Sequence, residues 1–501
     1  MRSSHRLLAL LLTALAAPCL AADTSDYDAA AAHVASLAGQ HPPRAHARNV
    51  ILFIGDGMGI STVTAARILE GQQKGRSGED NRLSFEEFPA LALVRTFSAN
   101  QQVADSAPTM SAMVTGWHAN EDALSVGPEV AAREMDAARV SAYAHATILE
   151  QAEAHGLATG IVTTARVTHA TPAANYAHTP NRDWEYAGQL PETATLQDIG
   201  AQLVSRQKTG NGIEVVLGGG RDYLLDRGSA DPEYPATSGL RRDGRNLIRE
   251  WLAAQPDSQY VWNRDDFLKV DPRHTSHLLG LFEPSHMQYE ADRARDLAGE
   301  PSLAEMTTKA IEILRKNRKG FYLMVEAGRI DHAHHAGNAY RALTDTIALS
   351  DAVRAAAQLT NPKDTLILVT ADHSHTLTIS GYPARGNPIL GLVKAPGASA
   401  PSLDVKGRPY TTLSYANGPG FGVYDEKGDG PREVNPGRGQ NLVDVDTTSP
   451  DFHQEALVGL GGETHGGEDV ALFARGAGAD VVRGVINQNE IYHIMRRALG
   501  F

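Results

Sequence analysis

Residues 321–335 of this 501-residue chain read FYLMVEAGRIDHAHH. The apolar run at the start of this stretch predicts a buried strand, which ends at Glu326 before the pattern becomes helical. Asp331 and His335 are four residues apart, so on a helix they share one face, as two ligands of a single metal ion must. An isolated pair of this kind is more typical of a solvated helix start than of a metal site. A site is therefore predicted only if other strands of the chain end in the same way.

Three further apolar runs lie next to candidate ligands: Val50 to Ile54 next to Asp56, Thr365 to Thr370 next to Asp372 and His373, and Val470 to Ala474 next to His465. Strands of this kind alternate with helical segments along the chain. This alternation predicts an α/β fold with a large, mostly parallel central sheet flanked by helices. In open α/β sheets, ligands bind at the carboxyl ends of the strands. Asp56 also fits an ordinary turn, because it lies between two glycines.

Two other segments supply polar candidates. In DSAPT, residues 105–109, Ser106 would lie at a helix N-terminus, where free amides stabilise an alkoxide or a phosphate, although capping is the commoner role. After a strand predicted at residues 159–164, His169 and Thr171 could reach a metal directly or through water. Arg182 in the same loop could bind an oxyanion with two hydrogen bonds. An ordinary solvent-exposed position would also explain each of these residues.

Helical patterns predict helices over residues 26–40, 140–156, 303–318 and 340–359. The composition changes between residues 381 and 450, where glycine and proline become frequent and short alternating stretches indicate β structure. We interpret this segment as an inserted, crown-like lobe within a single catalytic domain over residues 23–501.

The first 22 residues begin with basic residues, continue with an apolar run and end in small residues, as a secretory signal peptide does. We therefore expect a periplasmic or secreted protein, and no later stretch is apolar and long enough to predict a membrane span. The only cysteine, Cys19, lies in this segment, so the mature protein is expected to form no disulfide. The net charge of −13 argues against nucleic acid as a specific partner.

The candidate ligands fall into two chemical groups. Mixed histidine and aspartate ligands suit zinc, whereas Asp56, Thr171 and Glu326 offer only oxygen and suit magnesium. Two close divalent cations would polarise a phosphoryl group, and one of them could hold Ser106 as an alkoxide without a neighbouring base.

Six stretches of the chain resemble motifs of the alkaline phosphatases and occur in that family's order: NVILFIGDGMG, DSAPT, TTARVTHATPAANYAHTPNRDW, VEAGRIDHAHH, VTADHSHT and ETHGGEDVALFARG. The similarity extends from about residue 49 to the C-terminus. The stretches YVWNR and LLGLFEP resemble the animal enzymes more than the enterobacterial type. The resemblance implies hydrolysis of small phosphate monoesters, with release of inorganic phosphate, by a homodimer.

The resemblance also implies a role for each candidate. It assigns Asp331, His335 and His465 to one zinc, Asp56, Asp372 and His373 to a second zinc beside the nucleophile Ser106, and Asp56, Thr171 and Glu326 to magnesium, with Arg182 holding phosphate oxygens. His169, where many bacterial members have aspartate, would assist from beside the metals or the substrate. His332, His334 and His375 are not needed as ligands. The covalent intermediate would be a phosphoserine on Ser106.

A calcium site of the animal enzymes is matched by Glu233, the carbonyl of Phe282, Glu283 and Glu300, although Glu300 replaces an aspartate and the loop before it is longer. Pro108 is another departure, and it could tighten or shift the start of the Ser106 helix. A phosphodiesterase or sulfatase-like hydrolase of the same superfamily, and an inactive metal-binding or phosphate-binding protein, are the alternative functions.

Overall fold

The computed structural model describes residues 24–39, 46–208, 210–421 and 441–501. The predicted signal peptide, residues 1–22, lies outside the described residues. No helix in these described ranges is both long and apolar enough to cross a membrane.

A ten-stranded mixed sheet forms the centre of the molecule. Its strands are β1 (Asn49–Gly55), β2 (Ala90–Arg95), β3 (Ala158–Arg166), β4 (Val215–Gly219), β5 (Ser258–Val261), β6 (His277–Leu281), β7 (Phe321–Ala327), β8 (Thr365–Ala371), β14 (Val470–Gly476) and β15 (Arg483–Asn487). Their spatial order is β15-β2-β14-β8-β1-β7-β3-β4-β6-β5. All neighbouring strands run parallel except at β14, which is antiparallel to both β8 and β2. The predicted α/β class is confirmed.

Helices cover the sheet and connect its strands. The longer ones are α1 (Ser25–Gly39), α2 (Ile60–Gln73), α3 (Ser106–Thr115), α11 (Leu303–Leu314), α13 (Ala339–Leu359) and α14 (Asn489–Leu499). The shorter ones are α4 (Ala137–Ala142), α5 (Ile148–Ala154), α6 (Ala170–Ala173), α7 (Ile199–Arg206), α8 (Arg221–Leu224), α9 (Leu247–Ala254), α10 (Arg264–Lys269) and α12 (Arg329–His335). Strands β1, β7 and β8 are buried almost completely, which explains their continuous apolar sequences.

The prediction of one helix over residues 140–156 is wrong. The chain forms α4 and α5 instead, and between them Ala144 bridges to Val126. Thr147 starts α5 with a capping box: its hydroxyl accepts from the amide of Glu150, and the Glu150 carboxylate accepts from the amide of Thr147. The T-x-x-E pattern in the sequence indicates a helix start at this position, but the apolar periodicity continues through it and favoured a single helix. The helix predicted over residues 303–318 also ends earlier, at Leu314.

Smaller strands accompany the segment predicted as an inserted lobe. A three-stranded sheet contains β10 (Leu377–Ile379), β11 (Leu413–Gly418) and β12 (Ala456–Gly459), and β9 (Ser374–His375) pairs with β13 (His465–Gly466). Residues 422–440 lie outside the described residues. The boundaries of the lobe and of the catalytic domain stay predictions.

Gly320 directly precedes the central strand β7. Its φ is +110°, and a Cβ atom at this position would lie 1.8 Å from the backbone oxygen of Arg48, next to β1. Only glycine fits both the backbone angle and this close approach.

We predict that Gly320→Ala lowers the stability of the protein by roughly 3 kcal/mol or more, because it adds a backbone clash to the cost of a positive φ. Gly244→Ala is the matched control, since Gly244 has φ +73° and open space around its Cβ position. That variant should lose only about 1 kcal/mol. Thermal unfolding of both variants measures the difference, and equal shifts would contradict this explanation.

Candidate active site

The carboxyl ends of three adjacent parallel strands bring four carboxylates together. Gly55 at the end of β1 pairs with Ala327 of β7 and with Ala371 of β8. This register places the candidate carboxylates at one edge of the sheet: Glu326 on β7, Asp56 and Asp372 directly after β1 and β8, and Asp331 on the short helix α12. None of the four is more than 5% exposed. The sheet therefore holds several acids where water cannot screen them.

Burial and neighbouring charges shift the pKa values of these acids. Burial and the charge of Asp372 raise the pKa of Asp56 well above its usual value. Burial raises the pKa of Glu326 to about 7, and burial raises that of Asp372 as well. Burial would also raise the pKa of Asp331, but His335 and His375 beside it hold that pKa well below its usual value. The group has an excess of negative charge that a cation would balance.

Three histidines present lone pairs to this acidic group. The Nδ1 atoms of His335, His373 and His465 lie 2.5, 3.2 and 2.9 Å from the backbone oxygens of Glu463, Ser374 and Ala104. A carbonyl oxygen can only accept, so each Nδ1 carries a proton, and in the neutral ring each Nε2 is an unprotonated lone pair. The Nε2 atoms of His335 and His465 lie 3.1 Å apart, which in the neutral rings places two lone pairs face to face. A metal ion between such nitrogens removes their repulsion, and backbone oxygens commonly orient metal-binding histidines in this way.

Ser106 lies against both the acids and these nitrogens. It is 2% exposed and is the first residue of α3. Its Oγ is 3.3 Å from Oδ1 of Asp56 and 3.2 Å from Nε2 of His373. Pro108 sits inside the first turn of the helix and does not displace its start.

Arg182 is held next to Ser106 by the residue that precedes this serine. Asp105 is the N-cap of α3, but its side chain does not cap the helix. Instead its Oδ2 accepts a hydrogen bond of 2.8 Å from NH1 of Arg182, whose NH2 donates to Nε2 of His169 at 3.0 Å. Asp105 therefore orients the arginine and does not cap the helix.

Several buried polar atoms in the site have no hydrogen-bond partner among the described residues: Oγ1 of Thr171, Oε1 of Glu326, Oδ2 of Asp372 and Nδ1 of His169. Nitrogen of His169 and carboxylate oxygens of Asp56 and Glu326 lie within 4.8 Å of one another. An unpaired buried oxygen is costly, so these atoms fit ligands of a cation. His169 is different, because its Nε2 accepts from Arg182 and its Nδ1 therefore carries a proton that excludes direct ligation.

Sequence reasoning missed two residues that support this site, Glu463 and Thr163. Glu463, 2% exposed, binds Nδ1 of His375 and the amide and hydroxyl of Thr376, while Nε2 of His375 lies 2.7 Å from Oδ1 of Asp331. Burial would lower the pKa of His375, but these two carboxylates raise it to about 10. His375 is therefore a buried imidazolium. Thr163 supports the site as well, by donating to Glu326. The position of Glu463 two residues before His465 was the only sequence signal.

The residues matched to a calcium site also lie together. Gln288 links two of them: its side chain donates to Glu283 at 2.8 Å and its amide donates to Glu300 at 3.1 Å. Burial raises the pKa values of Glu283 and Glu300 to about 8 and about 9. Glu233 binds Arg221, and Phe282 is fully buried. Asp296, which the sequence analysis did not select, adds two oxygens without hydrogen-bond partners among the described residues, and its charge helps to raise the pKa of Glu283.

The chain is similar to known proteins over nearly its whole length. The alkaline phosphatase family profile matches residues 47–501. The tissue-nonspecific isozyme of alkaline phosphatase from Gallus gallus is 45% identical over 468 residues, which cover 92% of this chain and 86% of that protein. The alkaline phosphatase of Gadus morhua is 43% identical and covers 90% of this chain and 91% of its own length.

Solved structures show the same fold. The alkaline phosphatase of Thermus thermophilus has a TM-score of 0.65 at 24% identity, covering 92% of this chain and 93% of its own. The enzyme from the Antarctic bacterium TAB5 has a TM-score of 0.60 at 20% identity, covering 91% and 99%. The family profile and the sequence identities above establish that the chain belongs to the alkaline phosphatase family.

Proposed function

We propose that this metal-dependent phosphomonoesterase works through a covalent phosphoserine on Ser106. The observation that carries the proposal is the position of the Ser106 oxygen, at a helix N-terminus and within 3.3 Å of both Asp56 and the lone pair of His373. The substrates of the family are small phosphate monoesters, whose dianionic group needs concentrated positive charge. The likeness to alkaline phosphatases favours this function over the diesterase, sulfatase-like and inactive alternatives.

The metals we propose are two zinc ions and one magnesium ion. The nitrogens and oxygens of Asp331, His335 and His465 would hold one zinc, those of Asp56, Asp372 and His373 the second, and the oxygens of Asp56, Thr171 and Glu326 the magnesium. The facing lone pairs and unpartnered oxygens support this division. Bound cations would polarise the phosphoryl group and stabilise charge on the attacking and leaving oxygens.

The residues of the chain have separate tasks in the reaction. Ser106 attacks phosphorus, so that the Oγ–P bond forms as the bond from phosphorus to the ester oxygen breaks and the alcohol leaves. Free amides at the start of α3 stabilise negative charge on Ser106 and on the phosphate. Arg182, fixed by Asp105, binds phosphate oxygens. Water then attacks the phosphoserine, which releases inorganic phosphate and restores the serine. Two successive displacements retain configuration at phosphorus.

Three further properties are proposed from the sequence and the family. A calcium ion bound by Glu233, Glu283, Glu300 and the carbonyl of Phe282 would stabilise the protein away from the active site. The protein would be exported to the periplasm or secreted after cleavage near residue 22. It would form a homodimer, which sedimentation of the purified protein would test.

We predict that Ser106→Ala lowers kcat by about 10³-fold or more, because it removes the nucleophile but leaves the buried acids and histidines in place. Mixing the enzyme with a phosphate monoester labelled at phosphorus and denaturing it within one turnover should trap label on the wild-type protein only. Ser205→Ala, a substitution on helix α7, serves as the control. Trapped label in Ser106→Ala at the wild-type level would refute the covalent role.

We predict that Asp331→Asn reduces bound zinc by at least one ion per chain. Oδ1 of Asp331 lies 3.3 and 3.4 Å from the Nε2 atoms of His335 and His465, so its loss removes negative charge from the centre of that group. Elemental analysis of the purified variant measures zinc and magnesium together. Asp351→Asn on the surface of α13 is the matched control, and unchanged zinc in Asp331→Asn would show that the assignment is wrong.

The calcium proposal predicts opposite effects of Glu283→Gln with and without calcium. Burial raises the folded-state pKa of Glu283 to about 8, above its unfolded value of 4.5, so the wild type loses stability as pH rises between these two values. In a calcium chelator at pH about 9, Glu283→Gln should therefore melt at a higher temperature than the wild type; at pH about 5 the two should melt together. Added calcium should raise the Tm of the wild type alone. An equal calcium-induced rise in both proteins would contradict the site.

A further inference from the structure

Three histidines form a second cluster beside Arg182. They are His169, His286 and His332, and one ring nitrogen of each lies within 4.8 Å of the others. The ring centroids of His286 and His332 are 4.1 Å apart, and His169 lies 5.2 and 5.4 Å from these two rings. All three residues are half-buried. Such a group resembles a site for a transition metal, but its hydrogen bonds point to a different ligand.

Each of these imidazoles accepts a hydrogen bond from a guanidinium. Arg182 donates to Nε2 of His169 at 3.0 Å, Arg329 donates to Nδ1 of His332 at 3.0 Å, and Arg166 donates to Nε2 of His286 at 2.5 Å. A guanidinium has no acceptor, and a neutral imidazole has only one lone pair. The remaining nitrogen of His169 and of His332 therefore carries a proton, whereas Nδ1 of His286 lies 3.3 Å from the backbone amide nitrogen of Arg166, so donors of Arg166 face both nitrogens of His286. A cation would meet N–H groups and guanidinium groups here, whereas an anion would meet donors.

The arginines of the cluster are not fully neutralised. Arg166 forms a two-bond ion pair with Glu185, and Arg182 pairs with Asp105. In the described part of the chain, Arg329 has no carboxylate within ion-pair distance; it stacks on Tyr289, with its Cζ 3.7 Å from the ring centroid. Its buried Nε also lacks a hydrogen-bond partner among the described residues. Among the described residues, the positive charge of Arg329 beside the monoester site thus has no direct ion-pair partner, and the buried Asp345 interacts with it only at longer range.

We infer that Arg329 and His332, with the ring of His286 packed against His332, form a second anion-binding subsite, which favours phosphate monoesters that carry another anionic group, such as a second phosphate, on a short organic spacer. The inference rests on the proposed function, because Arg182 and His169 connect this subsite to the group that would be hydrolysed. Within the cluster, Arg182 would hold the scissile phosphate and Arg329 the distal one. Such substrates gain charge-assisted hydrogen bonds that simple monoesters cannot form.

The test compares bisphosphates with their own monophosphates, using the metal-loaded enzyme. The substrates are propane-1,3-diol bisphosphate and hexane-1,6-diol bisphosphate, each measured against the monophosphate of the same diol. For at least one spacer, kcat/KM of the bisphosphate should exceed that of the monophosphate by about tenfold, as expected for a charge-assisted hydrogen bond. Arg329→Gln should reduce this ratio to about two. A factor of two remains because a bisphosphate carries two equivalent phosphates, either of which can be hydrolysed. The ratio cancels any general loss of activity.

Two more variants complete the experiment. His286→Asn should lower the same ratio, and it keeps the inference testable if Arg329→Gln does not fold. Arg273→Gln removes an equal charge from an exposed side chain that pairs with Asp271, and it should leave the ratio unchanged. A wild-type ratio near two with normal turnover of monophosphates would overturn the subsite alone. Absence of phosphate release from every substrate would instead refute the proposed function. Zinc bound beyond the main site and lost in His286→Asn would overturn the anion assignment in favour of a metal.

Discussion

The repulsion among the buried carboxylates at the ends of β1, β7 and β8 is the constraint on which the rest of the site depends. Parallel pairing in register brings Asp56, Glu326 and Asp372 to one edge, and burial removes the water that would separate their charges. Two buried cations of the protein offset part of this repulsion: the imidazolium of His375 and the guanidinium of Arg182. These do not saturate the oxygens, and the atoms that remain unpartnered among the described residues support the metal positions that we propose.

Histidine chemistry divides the site into two halves. His335, His373 and His465 donate to backbone oxygens and thereby present lone pairs. On the Arg182 side, His169 and His332 accept from guanidiniums and present protons instead. The same side chain therefore suits a cation on one side and an anion on the other, and the backbone or arginine partner decides which.

The sequence predicted the parts of the fold and site that follow from local patterns. Apolar runs ending in aspartate or glutamate identified β1, β7 and β8, because parallel strands buried on both faces need continuous apolar sequence. The helix split near Thr147 was missed, since an apolar periodicity continues through it. Long-range supports were missed for another reason: the contacts of Glu463 with His375 and of Asp105 with Arg182 join residues 88 and 77 positions apart, and neither pair leaves a local pattern. Asp296 was not selected as a candidate calcium ligand because it lies in a loop whose path only the three-dimensional fold defines.

The central sheet cannot be completed during synthesis until the antiparallel strand β14 has been made. It lies between β8 and β2, so the early strand β2 cannot join the main sheet until residues 470–476 have been made. His465 lies five residues before this strand, next to Asp331 and His335 in the fold, and we propose it as a ligand. Closure of the sheet and completion of the proposed ligand group thus both wait for the last segment of the chain. During synthesis, which proceeds from the N-terminus, the acids next to β1, β7 and β8 can meet once β8 has been made, whereas His465 joins them only when almost the whole chain is present. A chain exported before folding would therefore reach its destination without a finished metal site, and would acquire its ions there.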